Sequence, residues 1–290
     1  MVVEWPTTWE GLRAMVLREG RTSAVVLPDA GAKVVSLVLH GQEVLWRNPH
    51  VPVRAAPYAA RYRDYGASGM DVCFPSIAAA RVPTPSGELI VPDHGEVWAL
   101  PWAVDATRTA ARVSVEGRAW SYRLDMALVL VPGALEIVTT LQNRAREAFP
   151  YLWALHPVVP LTPRTAVRWP RRAGEEALAD VVSRPGRTPP GYISKVFLGP
   201  LAAGEAVVAQ DEGSVRLAWD AGVLPYLGVW ISNQDERGPG GRRCLAVEPS
   251  VAPTDSLEDA VRTGQAAVLA PGQTRVWQVT VQYEPAGFSP

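Results

Sequence analysis

The chain has 290 residues, 48% of them apolar, and a formal net charge of −1. That length suits one large β-sandwich or barrel spanning residues 1–290 and does not force a second domain. With no basic stripe and no run of like charges, the chain offers nothing to a nucleic-acid backbone or to an anionic membrane surface. No apolar run is long enough to cross a bilayer. The first twenty residues lack a basic segment followed by an apolar one, so a cytoplasmic protein without a secretory signal is expected. Cys73 and Cys244 belong to no C-x-x-C pair, which fits free thiols in a reducing compartment better than a disulfide.

In chain order, the first pattern is faintly helical, at residues 8–15. Strand character begins at 24–28 and 33–40 and returns at 112–116, 120–131 and 135–143. Between the last two, Val131-Pro132-Gly133-Ala134 predicts a hairpin turn. A second faint helix falls at 174–179. Further strands are expected at 215–219, 224–231, 245–248, 266–269 and 275–283. The signal is valine, leucine, tryptophan and tyrosine at period two, bounded by glycine, proline, asparagine and aspartate. Residues 50–75 and 162–193 read as long loops rich in arginine, proline and glycine, where binding groups commonly sit. No internal repeat is evident. The expected fold is all-β, a large antiparallel sandwich or barrel with few short helices.

Several common chemistries have no motif here. There is no G-x-x-x-x-G-K-[ST] phosphate loop, no strand-linked G-x-G-x-x-G, no G-x-S-x-G and no H-E-x-x-H. Gly238-Pro239-Gly240-Gly241 precedes a strand and reads as a hairpin loop.

The chain has four histidines. His40 precedes Gly41 at a strand end and marks a turn, and His50 follows Asn48-Pro49 in a loop. His94 is followed by Gly95, whose freedom lets the backbone approach a neighbour or a ligand; a solvated loop histidine is the alternative. His156 closes the apolar run Tyr151-Leu152-Trp153-Ala154-Leu155 and precedes Pro157. Glu248 closes Leu245-Ala246-Val247 and precedes Pro249. A carboxylate there must be exposed, paired or functional, because burying it alone is costly. Both are ionisable groups carried to the end of a strand, the support that proton transfer needs. Asp71 is a further candidate, or a turn aspartate bonding its own backbone. Trp153 and Trp230 could line a cleft with their faces, or belong to the core. Lys195 reads as a surface lysine.

Four segments in order resemble the aldose 1-epimerase, or galactose mutarotase-like, family. They are Pro28 to Leu37 with Glu43-Val44-Leu45-Trp46; Asp93-His94-Gly95; Leu141-Gln142-Asn143 with Pro150 to Pro157; and Val247-Glu248-Pro249 with Asp255 beyond. The resemblance covers most of the chain. It implies a large antiparallel supersandwich with a sugar site on one sheet and no metal or cofactor. It implies His156 as general acid at the ring oxygen, Glu248 as general base at the anomeric hydroxyl and His94 as an orienting group. Asp71, Trp153 and Trp230 are then expected to contact the sugar. The implied reaction interconverts α and β anomers of a small-molecule sugar. The chain departs from galactose-active members in lacking an Asn-Arg pair before the His-Gly motif; Arg47-Asn48 is the reverse order. Gly69-Met70-Asp71-Val72-Cys73-Phe74-Pro75 instead looks like the segment of glucose-6-phosphate-epimerase-like members. A non-catalytic sugar binder on the same scaffold is the alternative. A zinc-type site of His94, His156 and Glu248 is a third.

Overall fold

The computed structural model describes the chain except residues 66, 85–86, 172–175, 236–240 and 287–290. Two large antiparallel sheets dominate it. The first has ten strands. Their order from one edge is Val2–Trp9, Leu12–Glu19, Thr22–Leu27, Lys33–Leu39, Met70–Cys73, Ala154–Pro160, Arg243–Ser250, Tyr226–Asn233 and Tyr192–Leu198, with Gln42–Glu43 beside Lys33–Leu39. The second has eight, in the order Ala166–Arg168, Gly204–Ala209, Gly213–Trp219, Thr274–Pro285, Ala134–Asn143, Tyr122–Val131, Ala111–Glu116 and Ala103–Ala106. Two small two-stranded pairs complete the sheets, Ala80–Thr84 with Gly87–Val91 and Phe149–Tyr151 with Ala267–Leu269. The α-helices among the described residues are Glu176–Ser183 and Leu257–Arg262.

The sheets pack face to face because each strand alternates. Leu155, Val159, Leu245, Val247, Leu227 and Val229 of the first sheet share one buried cluster with Leu124, Leu141, Leu217 and Val279 of the second. The intervening residues of the first sheet, including His156, Ala246, Glu248 and Trp230, therefore point away from that cluster, as period two requires. Val131 pairs with Ala134 across the expected Pro132-Gly133 turn. His40 (φ 53°) and Gly41 (φ 88°) make the expected tight turn.

Three expectations are corrected. Residues 8–15 are not helical. They belong to the hairpin of Val2–Trp9 and Leu12–Glu19, turned by Glu10 and Gly11 at φ 47° and 82°, a two-residue turn whose twist suits paired strands. The expected loop 50–75 ends in a central strand, Met70–Cys73. The expected helix at 174–179 starts two residues later, as Glu176–Ser183, with residues 174–175 outside the described set. Residues 238–240 of the expected glycine loop also lie outside it. No disulfide joins Cys73 and Cys244, which are both buried. Among the described residues no helix is long and apolar enough to cross a membrane.

Candidate active site

The strand register builds the site. Asp71 pairs with His156. Ala154–Ser250 and Val158–Ala246 pairs flank His156 and put Glu248 beside it. Glu248 in turn pairs with Gly228, and Trp230 with Lys195. One row of side chains thus crosses four neighbouring strands on the face turned away from the core. Gly228 matters here because it has no side chain. A Cβ there would lie 3.4 Å from the Glu248 Cβ and 3.5 Å from the Lys195 Cε. The gap lets Lys195 reach across the intervening strand.

Glu248 is fully buried. Lys195 Nζ donates to its Oε2 at 2.7 Å and lies 2.6 Å from Asp255 Oδ1. Oε1 of Glu248 lies 3.5 Å from His156 Nε2 and, like His156 Nδ1, makes no hydrogen bond among the described residues. Burial pushes the Lys195 ammonium down, but Glu248 and Asp255 outweigh it and raise it above the ordinary lysine range. Burial, followed by the electrostatic influence of His94 and Lys195, pushes His156 down to about 3. At neutral pH its imidazole is uncharged.

That shift fixes a sign. Between pH 6.5 and about 3 the unfolded chain protonates this histidine and the native chain does not. His156 therefore favours the fold above pH 6.5, and its contribution is lost as pH falls through that window, at up to about 1.4 kcal/mol per pH unit. NMR of the four histidines checks this. The His156 ring signals are expected to stay fixed from pH 8 to pH 5; a midpoint near 6.5 would contradict it.

His94 comes from a loop. It has φ 59°, followed by Gly95 at 76°. A Cβ on Gly95 would lie 2.1 Å from the Phe74 carbonyl oxygen, so no other residue fits there without displacing the loop. His94 Nδ1 is 2.8 Å from Asp93 Oδ1, which leaves Nε2 for a ligand. Burial raises the Asp93 carboxyl, but the His94 contact and the Tyr62 and His94 N–H groups outweigh it and bring it below the usual range. The His94 ring stacks on Tyr62, centroids 3.9 Å apart and planes 12° apart, and lies 5.9 Å from the His156 ring. Glu96 anchors the same loop. Its buried carboxylate accepts from Tyr58 and Tyr122 hydroxyls and from the Arg118 and Ala119 N–H groups.

A cavity of about 460 Å³ opens over these groups, within the range of small-ligand sites. His94, His156, Lys195, Trp230, Asp255, Tyr62, Arg63 and Arg242 line it. A depression of about 470 Å³ around the His40-Gly41 turn holds none of the candidate residues.

The sequence candidates divide. His94, His156 and Trp230 line the cavity, and Glu248 lies directly behind His156 and Lys195. Asp71 does not line it. Its Oδ2 accepts from the Tyr62 hydroxyl at 2.6 Å and pairs with the Lys33 ammonium. Trp153 is in the core, edge-on to Trp277. Three residues before His156 on an extended chain, it must face the other way. Lys195, expected at the surface, is partly buried and held in two ion pairs. Tyr62 and Glu96 carried no motif of their own, and Asp93 and Lys33 lay inside the quoted segments without a role attached to either. Among the described residues no three His, Cys, Asp or Glu side chains are grouped as a metal would require.

No family model and no curated protein matches this chain. Solved structures do. A galactose mutarotase-like protein from Lactobacillus casei ATCC 334 matches with a TM-score of 0.67 at 17% identity, over 93% of this chain and 100% of its own. A galactose mutarotase-like protein from Clostridium acetobutylicum gives 0.71 at 14% identity, over 98% of each chain. The fold is a galactose mutarotase-like β-sandwich. An Escherichia coli K12 protein named as a candidate aldose 1-epimerase gives 0.71 at 15%, over 93% of this chain and 98% of its own. At these identities the likeness establishes the fold.

Proposed function

We propose that this protein is an aldose 1-epimerase-type isomerase that interconverts the α and β anomers of a sugar. The observation that carries the reading is that His94 and His156 line one cavity with Glu248 directly behind them, and that among the described residues His156 Nδ1 and Glu248 Oε1 are buried without hydrogen-bond partners. Buried polar atoms left unpaired are costly, and a polyhydroxylated ligand supplies partners.

Glu248 takes the proton from the anomeric hydroxyl O1. The C1–O5 bond breaks, and the ring oxygen O5 takes a proton from His156. Rotation about C1–C2 and reclosure with the roles reversed give the other anomer. Lys195 holds Oε2 of the carboxylate, and Oε1, which makes no hydrogen bond among the described residues, is the oxygen left to take the proton. Trp230, with a ring 6.5 Å from that of His156, offers an apolar face to the sugar C–H groups.

One consequence concerns protons. Because His156 is uncharged at neutral pH, the proton it gives to O5 has to be taken up from solvent. Hence kcat/KM, which reports the free enzyme, is expected to fall as pH rises from 5 to 8. A rate that rises over that range would count against His156 as the acid.

The experiment follows freshly dissolved α-glucose, α-galactose and their 6-phosphates by NMR, with and without enzyme. The two arginines at the cavity, Arg63 and Arg242, are the reason to include the phosphates, since guanidinium groups recognise phosphate oxygens well. Faster approach to the anomeric equilibrium supports the reading. Binding of a sugar with no acceleration overturns it in favour of a sugar-binding protein on the same fold.

A further inference from the structure

The chain has only two lysines, Lys33 and Lys195; its other 26 basic side chains are arginine. Both lysines sit at the site, Lys33 buried on Asp71 and Lys195 partly buried on Glu248 and Asp255. The chain uses arginine at every other basic position and lysine at these two. The two cations differ in kind. Guanidinium is a planar fork, whereas ammonium is a compact point charge with three rotatable donors.

Lys33 is shut away behind Tyr62 and does not line the cavity. Lys195 does line it. Its side chain passes over the space left by Gly228 and places Nζ between two carboxylates. The Glu248 contact is a hydrogen bond and the Asp255 contact an ion pair, which between them engage at most two of its three N–H groups. The third has no acceptor among the described residues. A ligand entering the cavity meets this ammonium before it meets Glu248, which is fully buried behind it. The positive charge is fixed there by its two carboxylate partners, so it needs no proton from solvent to be present.

We infer that Lys195 is a catalytic residue whose third N–H donates to the anomeric oxygen O1. This rests on the reading given above. When Glu248 removes the O1 proton, the electron pair stays on O1 until C1=O1 forms and C1–O5 breaks. A fixed cation beside O1 stabilises that transient negative charge and costs no reorganisation at the moment of reaction. No bond to nitrogen forms, and Lys195 keeps its proton throughout. The same ammonium keeps Glu248 from being an uncompensated buried charge, so one residue serves the base and the oxyanion together.

The test combines kinetics with spectroscopy. Lys195→Met is expected to lower kcat by about 10²–10³, with KM changed by less than about threefold, because the contact strengthens only in the transition state. To separate catalysis from folding, Lys195→Cys is alkylated with 2-bromoethylamine, which restores an ammonium at the same reach; Cys73 and Cys244 are buried. Recovery of at least about a tenth of the parent kcat is expected. Recovery of the melting temperature without recovery of kcat makes the role structural and overturns the inference. So does a Lys195→Met variant within about threefold of the parent kcat. In parallel, 15N-lysine labelling gives two ammonium signals, since the chain has two lysines. Glucose, galactose or a 6-phosphate is expected to move one of them, the one missing from Lys195→Met, and leave the Lys33 signal in place. A sugar that is turned over while both signals stay still overturns the inference. A sugar that moves the Lys195 signal but is not anomerised sinks the epimerase reading and leaves the lysine contact standing. A parent that neither binds nor converts any of the four sinks both.

Discussion

Glu248→Gln is expected to lower kcat by about 10²–10⁴, the usual contribution of a positioned general base, with KM little changed. The amide keeps the shape of the carboxylate and still offers an oxygen to Lys195 Nζ, now 2.7 Å from Oε2. It cannot accept the O1 proton. Asp255, 2.6 Å from the same ammonium, continues to balance the Lys195 charge, so the loss reads chemistry more than folding. Circular dichroism and melting of the variant check that point. The site predicts a second signature. Glu248→Gln with His156→Gln should be far from additive, because either change alone breaks the same proton circuit. A Glu248→Gln enzyme within tenfold of the parent, with its fold intact, would remove Glu248 from the mechanism.

Asp71→Asn is expected to destabilise the protein by about 3–5 kcal/mol, because it breaks a buried ion pair and strands one charge. The side chains of Lys33 and Asp71 are 6% and 1% exposed. With the carboxylate's charge gone, Lys33 Nζ keeps the Ser68 carbonyl, at 2.9 Å, and a neutral amide oxygen, neither of which compensates its charge, and the Tyr62 hydroxyl loses its charged acceptor. Tyr62 is the ring on which His94 stacks, so a loss of activity should accompany the loss of stability. The control is Lys33→Met with Asp71→Leu. Removing both charges leaves none uncompensated, and most of the stability should return. Chemical denaturation measures both variants. An Asp71→Asn protein as stable as the parent would show that the pair is not what holds this part of the site.

The legible parts of this fold were those governed by local rules. The central strands of the second sheet, Tyr122–Val131 and Ala134–Asn143, alternate cleanly and meet at a Pro-Gly turn. Edge strands hid better. Val2–Trp9 buries few of its residues, and Leu12 with Met15 and Val16 has helical spacing as readily as strand spacing. Met70–Cys73 was obscured by Asp71, whose charge looks out of place in a central strand until its partner is known. That partner, Lys33, is 38 residues away in sequence.

The site was legible to the same depth. His94 showed itself by the glycine after it, His156 and Glu248 by the prolines after them, which were read as strand ends although Pro157 and Pro249 lie within Ala154–Pro160 and Arg243–Ser250. Trp153 was misplaced by parity, since three steps along a strand reverse the face. Lys195 was misread because its carboxylate partner is 53 residues off and nothing beside it in the sequence demands burial. The signal that could have found it was rarity, one of two lysines among 28 basic residues. Convergence of distant groups is set by sheet order, and sheet order is not written in any local pattern.

The most direct measurement is exchange NMR on an equilibrated sugar, chosen from the four of the panel, in the presence of the enzyme. It reads the α-to-β interconversion itself, through cross-peaks between the two anomeric protons, and needs no fresh dissolution. The account predicts cross-peaks with the parent that vanish with Glu248→Gln while the sugar still binds. Cross-peaks of equal strength with both proteins, or none with the parent while a sugar is bound, would contradict it.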